Sequence, residues 1–323
     1  MTSFHDDEYT KLVNYVFNYG VRKPNRTGVD TIGVFSYQMR FNLRDGTIPL
    51  LTTKKVHTKS IIHELLWMMS GDSNIKYLKD NGVTIWDEWA DENGDLGPVY
   101  GVQWRNWQQF QFVPAHAEGS EWVPDEHRVN HIDQIAVLVD KLKNNPLDRR
   151  LIVSAWNVAD LPQMKLPPCH YAFQFYTRPL TLLERVRHAS KTHYVPDDIS
   201  EADLEQVFGV NGVPKYELSL MLNQRSCDIG LGVPFNIVQY SFILRMFCEV
   251  ANMIPGEFIW NGGDTHVYVN HIDALKEQLA RVAYPSPSFK FARKVADIND
   301  FKYEDFVIRG YESHPAIKME VAV

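Results

Sequence analysis

The sequence is short of cysteine, of long apolar runs and of basic charge, and each shortage excludes something. Three cysteines, Cys169, Cys227 and Cys248, are spread over 323 residues. An odd number without CxxC spacing fits neither a disulfide framework nor a cysteine zinc site, so free thiols are expected. No stretch approaches the roughly 20 apolar residues of a membrane helix. The opening MTSFHDDEYT is polar and acidic rather than signal-like, so a cytoplasmic protein is expected. With 33 basic against 40 acidic residues the net charge is −7, which argues against association driven by neutralising a phosphate backbone. HExxH, a Walker loop and GxGxxG are all missing, and His170, His266 and His271 lack helical i, i+4 spacing. Neither a metal site nor a nucleoside triphosphate or dinucleotide site is therefore expected.

What is present is a large reserve of core. The chain is 45% apolar and 12% aromatic with 23% charged residues, a globular composition. Leu12, Val13, Val16 and Phe17 stand at helical spacing before Gly20, which reads as a helix stop. Residues 31–43 alternate as a strand does, and 44–47 read as a turn. SIIHELLWMMSG (60–71) reads as a buried helix with a carboxylate inside it. Residues 131–146 predict an amphipathic helix ended by Pro146, and 149–157 and 170–177 predict strands. Residues 216–232 read as a strand ending in a turn, and 236–253 as a long buried helix. Nothing in composition separates two cores, so one α/β (α+β) domain over 1–323 is expected, with surface insertions at about 108–130 and 178–215.

Several side chains could carry chemistry. Cys169 follows Pro167-Pro168, at a stiff corner where a strand begins. It reads either as a small buried hydrophobe or as a nucleophile, and the second needs positive charge nearby to populate the thiolate. Arg26, Arg149, Arg150 and Arg225 lie at turns. Singly each reads as a solvated surface residue, but guanidinium forks that converge would hold a phosphate bidentately. Glu64 in its apolar helix is either paired for structural reasons or, with burial raising its pKa, a proton shuttle. Trp86, Trp89, Tyr100 and Trp104 fall within about twenty residues and suit core packing or a wall beside a flat ligand. His266 and Tyr268, two apart, share a face if their segment is a strand.

The motifs PNRTG, SIIHELLW, TIWDEWADENGDLGPVYGVQWR, DRRLIVSAWN, PPCH, QRSCDIGLGVPFN, NGGDTHVYVNH and the terminal HPAIKMEVAV, in this order, resemble the thymidylate synthase family over nearly the whole chain. The resemblance implies a large mixed, twisted β-sheet flanked by helices, in a homodimer formed through the sheet faces. It implies reductive methylation of dUMP to dTMP by 5,10-methylenetetrahydrofolate as co-substrate, with no metal. Cys169 would attack carbon 6 of uracil, and Glu64, Tyr100, His170, Asn236 and Trp86 would complete the catalytic set. Arg26, Arg225 and Ser226 would hold the 5′ phosphate, with Arg149 and Arg150 donated by the partner subunit. Gln224, Asp228, Asn236, His266 and Tyr268 would bind the rest of the nucleotide. Lys54, His57, Trp86, Trp89, Leu166, Asp228, Leu231, Gly232, Phe235 and Val323 would line the folate site, the tail closing over it. No membrane is implied, and no nucleic acid beyond RNA in autoregulation.

Three rivals remain at this stage. A pyrimidine nucleotide hydroxymethyltransferase would share the early steps and let water capture the methylene. A noncatalytic nucleotide- or RNA-binding homologue would have no reason to keep the catalytic set together. A cysteine hydrolase using Cys169 and His170 is disfavoured, because adjacent residues in a strand point to opposite faces.

Overall fold

The computed structural model describes residues 5–118, 121–123, 126–190 and 200–321. A six-stranded sheet runs, in spatial order, Val21–Lys23, Thr31–Asn42, Ile254–Tyr268, Tyr216–Asp228, His170–Pro179 and Ile152–Ser154. The two central strands, Tyr216–Asp228 and Ile254–Tyr268, are parallel, and every other pairing is antiparallel. The sheet is mixed and flanked by helices, as the resemblance implies.

Register explains where the site forms. His170 opens its strand opposite Gln224, and His266 lies opposite Asp228 in the parallel pair. On the other side Tyr268 pairs with Thr31, so the turn carrying Asn25 and Arg26 arrives at the same end of the sheet. Pairing alone thus gathers segments that are up to about 240 residues apart in the chain. A bulge between His170 and Ala172 shifts the ladder just beyond Cys169, as bulges do where a side chain must be re-aimed.

One face of the sheet is covered by helices. In Tyr216–Asp228 the residues Leu218, Leu220 and Leu222 turn inward at period two. They meet the helix Gly232–Ala251, which is apolar nearly all round and buried over most of its length, as a central helix must be. Helices Asp6–Tyr19 and Thr58–Ser70 join the same continuous core. Gly71 closes the second of these in the left-handed conformation, φ 79°, where glycine carries no Cβ penalty. Among the described residues no helix is long and apolar enough to cross a membrane.

Several local expectations change. The first helix does stop before Gly20, but Gly20 is extended, φ −70°. It is required for space: a Cβ there would stand 2.4 Å from the Val16 carbonyl oxygen and 2.6 Å from Ile32. The helix expected over 131–146 spans Gln134–Asn144, because His131 and Ile132 pair with Gln108 and Trp107 in a hairpin and Asp133 caps the helix instead. The strand expected over 149–157 shrinks to Ile152–Ser154. The strand expected over 216–232 ends at Asp228, and the long helix already begins at Gly232. The segment 108–130 falls largely within an antiparallel hairpin of Trp107–Val113 and Glu126–Ile132, with Phe110 and Phe112 exposed. The segment 178–215 contributes helices Leu182–Ala189 and Glu201–Val210, which share a small core of Ala189, Leu204, Phe208 and Val213.

The helix Tyr100–Arg105 lies against Thr58–Ser70 at a glycine. A Cβ on Gly101 would stand 2.5 Å from the Met68 carbonyl oxygen, whereas one on Gly209 would meet nothing within 4 Å. Gly101→Ala is therefore expected to lower unfolding free energy by about 2 kcal/mol through overpacking. Gly209→Ala, in an open helix position, should raise it by up to about 1 kcal/mol. Urea unfolding of both variants checks this, and equal effects would contradict the close contact.

Candidate active site

Cys169 lies at the corner where the chain enters its strand, and Arg225 fixes that corner. The Arg225 backbone N–H donates to the Cys169 carbonyl at 2.8 Å. Its guanidinium Nε donates to the Pro168 carbonyl and an Nη2 hydrogen to the Pro167 carbonyl, each at 2.9 Å. From the helix side, the Tyr100 hydroxyl accepts the Cys169 N–H at 2.9 Å. The thiol thus sits on backbone held from two directions.

Around it opens a cavity of about 420 Å³, lined by Cys169, Arg26, Arg225, Ser226, His266, Tyr268, Trp89 and Leu166 together with Asn25, Thr27, Lys165 and Pro167. Two arginines and a lysine make the lining cationic, while Trp89 and Leu166 add apolar surface. The Thr27 hydroxyl is buried without a partner among the described residues. His266 Nδ1 lies 3.2 Å from the Asp264 carbonyl and 3.1 Å from its carboxylate. Both are acceptors, so Nδ1 carries a proton. Lys23 in turn holds Asp264 at 2.7 Å.

Beneath the cavity lies a buried polar layer. His170 Nδ1 meets the Tyr240 hydroxyl at 2.7 Å, and the His170 ring stacks on Tyr100 at 4.1 Å. Burial drives the His170 pKa down to about 3, so this imidazole is neutral and is no base for Cys169. Gln224 accepts the Trp260 indole N–H at 2.9 Å and donates to the Asn236 carbonyl at 3.0 Å, which orients the Asn236 amide. Glu64 Oε1 accepts the Trp86 indole N–H at 2.7 Å, and its Oε2 accepts from Gln239 at 2.9 Å. Burial raises the Glu64 pKa to about 7 against the lowering effect of those two donors. Tyr100 and Tyr240 are pushed well above 10 by burial and stay phenolic.

The thiol itself departs from expectation. Burial raises the Cys169 pKa, and Arg225 and Arg26 oppose that rise without overcoming it. The free chain therefore holds a thiol at neutral pH, because desolvation of a mostly buried sulfur outweighs two cations at a distance.

The residues expected at the folate site are more dispersed. Trp89 and Leu166 line the cavity. Trp86 lies behind Trp89, edge to face at 5.9 Å, and is nearly buried. Lys54 is buried with its ammonium on the Gly230 carbonyl, and burial lowers its pKa to about 8. Asp228 folds its carboxylate onto the Gly230 N–H at 2.8 Å, His57 bonds Ser60 at 2.7 Å, and Leu231, Gly232 and Phe235 open the long helix. Arg149 and Arg150 are exposed and do not line this chain's cavity. Val323 lies outside the described residues, although the preceding tail is docked by His271 Nε2 at 2.7 Å from the Glu320 carbonyl. No cluster of three or more metal-ligating side chains occurs among the described residues. Tyr240 and Gln239, which hold His170 and Glu64, carry no local signal beyond being polar residues in an apolar helix.

A family model described as thymidylate synthase matches residues 7–323.

A carboxyl whose pKa is about 7 when folded, against an ordinary 4.5, keeps its proton after the unfolded chain has lost it. Stability therefore falls as pH rises between those values, by about 3 kcal/mol for Glu64. Glu64→Gln should remove that fall, matching wild type at pH 4 and exceeding it at pH 8 in denaturant titrations. An unchanged slope would mean that Glu64 is not buried as described.

Proposed function

This chain belongs to the thymidylate synthase family, methyltransferases that act on dUMP with methylenetetrahydrofolate, and on that premise we propose that it converts dUMP to dTMP with release of dihydrofolate. The observation that carries the reading is the placement of Cys169 in one cavity with Arg26, Arg225, Ser226, His266 and Tyr268. A monophosphate suits Arg26 and Arg225 in that lining. After its bonds to Pro167 and Pro168, Arg225 keeps three of its five N–H donors for the phosphate oxygens, and Ser226 adds a hydroxyl. His266 Nε2 and the Tyr268 hydroxyl would take the sugar 3′ hydroxyl.

The base would then lie between Cys169 and Asn236. Gln224 already occupies the Asn236 carbonyl with one donor, and that oxygen's second lone pair would accept the uracil ring N–H while the amide N–H donates to the neighbouring carbonyl. Cytosine presents the opposite pattern and is refused. The sulfur of Cys169 forms a bond to carbon 6, and the π electrons of the C5–C6 bond move toward the carbon 4 carbonyl, making carbon 5 nucleophilic. The thiol proton leaves to water in the open cavity, since neither the cationic arginines nor His170 can take it, and the charge of Arg225 and Arg26 lowers the cost of the thiolate that burial resists. Glu64, near neutrality in pKa, would move protons at the base and the folate, with Tyr100 and His170 fixing the intervening geometry.

Trp89 and Leu166 would take the flat ring of a folate beside the nucleotide, backed by Trp86, and on this reading Lys54, His57, Asp228, Leu231, Gly232 and Phe235 would complete its site from outside the cavity lining. The folate supplies a one-carbon unit and then a hydride. The tail docked at His271 would cover this side and exclude water. Water exclusion separates this activity from that of a hydroxymethyltransferase, and the buried Trp86 packed behind Trp89 supports the methylase reading.

The assembly would be a homodimer through the open sheet face, where Ile152 and Tyr176 are exposed. Arg149 and Arg150 would reach the phosphate of the partner's site, which accounts for their absence from the cavity of their own chain.

Purified protein with dUMP and methylenetetrahydrofolate should give dTMP by mass spectrometry together with dihydrofolate absorbance, and dCMP should remain unchanged. Hydroxymethylated product without dihydrofolate would overturn the methylase reading, and turnover of dCMP would overturn the role of Asn236. For the dimer, Cys169→Ala and Arg149→Ala are each expected to be strongly impaired alone. After subunit exchange the mixture should regain activity from one site with both groups intact. No recovery despite exchange, tracked by tagged subunits, would remove the shared-site claim.

A further inference from the structure

Gln239 is fully buried on the Gly232–Ala251 helix, one turn after Asn236, and the resemblance implies no role for it. Its Nε2 donates to Glu64 Oε2 at 2.9 Å and lies 3.8 Å from the Met68 sulfur. Its Oε1 is buried and accepts no hydrogen bond among the described residues. A buried carbonyl oxygen left without a donor costs free energy and calls for a reason.

The reason lies in the chemistry of its partner. Glu64 presents one oxygen to the Trp86 indole N–H and the other to the Gln239 amide N–H. Two donors suit a carboxylate, which only accepts. When the carboxylate takes a proton, one of its oxygens becomes a donor and faces another donor. Indole has no acceptor and cannot adapt. A primary amide can, because half a turn about its terminal bond exchanges Nε2 for the unused Oε1.

We propose that Gln239 is a positioning residue whose amide reverses as Glu64 gains or loses a proton, donating to the carboxylate and accepting from the carboxylic acid. Glu64 then has a partner in both states and stays in place while a proton passes through it. The orphan oxygen is the acceptor kept for the protonated state. This inference deepens the proposed role of Glu64 and rests on it.

The surroundings leave the amide as the adjustable partner. Tyr100, from the neighbouring short helix, and Tyr240, next to Gln239, both feel the Glu64 charge and remain phenolic. His170, from the sheet, lies behind them as a neutral imidazole. With Glu64 titrating at about 7, both of its states are populated near neutral pH.

The test is Gln239→Met, which keeps an unbranched side chain of similar volume and cannot donate or accept such a bond, with Gln239→Leu as a second variant should the first fail to fold. Infrared difference spectroscopy on the free protein follows the carbonyl stretch of protonated Glu64, assigned by its loss in Glu64→Gln. Loss of one of two donors to the carboxylate should move the titration midpoint up by about one pH unit, a tenfold change. The band should also shift to higher frequency as the acid O–H loses its acceptor. In turnover, the acid limb of the kcat profile should move with it while the KM for dUMP stays within about twofold. An unchanged midpoint and band would reduce Gln239 to a space filler and overturn the proposal. Absence of turnover in wild type would instead overturn the proposed reaction, and the infrared titration would still decide the role of Gln239.

Discussion

Arg225 is the residue on which the site depends. It lies near the end of a central strand, so its backbone position is fixed by pairing on both sides, with Gln224 opposite His170 and Gly262 and Ser226 opposite Asp264. From there it holds the carbonyls of Pro167, Pro168 and Cys169 with one backbone and two guanidinium donors. The loop that brings Cys169, the proposed nucleophile, to the cavity would otherwise be free to move, and positioning within a fraction of an ångström decides rates in covalent catalysis. The same guanidinium lines the cavity and lowers the cost of a thiolate. One side chain thus anchors the loop, offers donors to an anion and tunes the sulfur.

Burial is the second organising force, and it drives Cys169, Glu64, Lys54 and His170 alike toward their uncharged forms. Cys169 is pushed up, Glu64 up to about 7, Lys54 down to about 8 and His170 down to about 3. Each moves toward its neutral form, as desolvation requires. For His170 the result is a fixed hydrogen-bonding group rather than a base. For Glu64 it is a carboxyl poised between states at neutral pH, the condition under which proton transfer in both directions is efficient. The apolar core that stabilises the fold is therefore also what sets the chemistry of its polar layer.

Much of this was legible in the chain, because local pattern and local structure coincide. The alternation of Tyr216–Asp228, the apolar run of Gly232–Ala251 and the left-handed Gly71 all follow from spacing and residue type. Cys169 after two prolines and Arg225 beside Ser226 likewise announced themselves. What was not legible depended on tertiary partners. Gln239 and Tyr240 read as polar points on an apolar helix until Glu64 and His170 meet them from other elements. Gly20 signalled a helix end, but its need for space comes from Ile32 on the neighbouring strand. His131 and Ile132 fit a helical pattern and are claimed by strand pairing with Gln108 and Trp107. The balance at Cys169 could not be read from its arginines, since desolvation is set by everything packed around the sulfur.

The central claim is that the Cys169 sulfur bonds to carbon 6 of a deoxyuridylate ring held in this cavity. The most direct test is to supply dUMP carrying fluorine at carbon 5, together with methylenetetrahydrofolate, and to weigh the intact protein and its peptides. Carbon 5 then lacks the proton whose loss must release the product, so the adduct should accumulate. A mass increase equal to nucleotide plus folate is expected on the peptide containing Cys169, and none on Cys169→Ala. An unmodified Cys169 in protein shown to bind the nucleotide, or an adduct on Cys227 or Cys248, would contradict it.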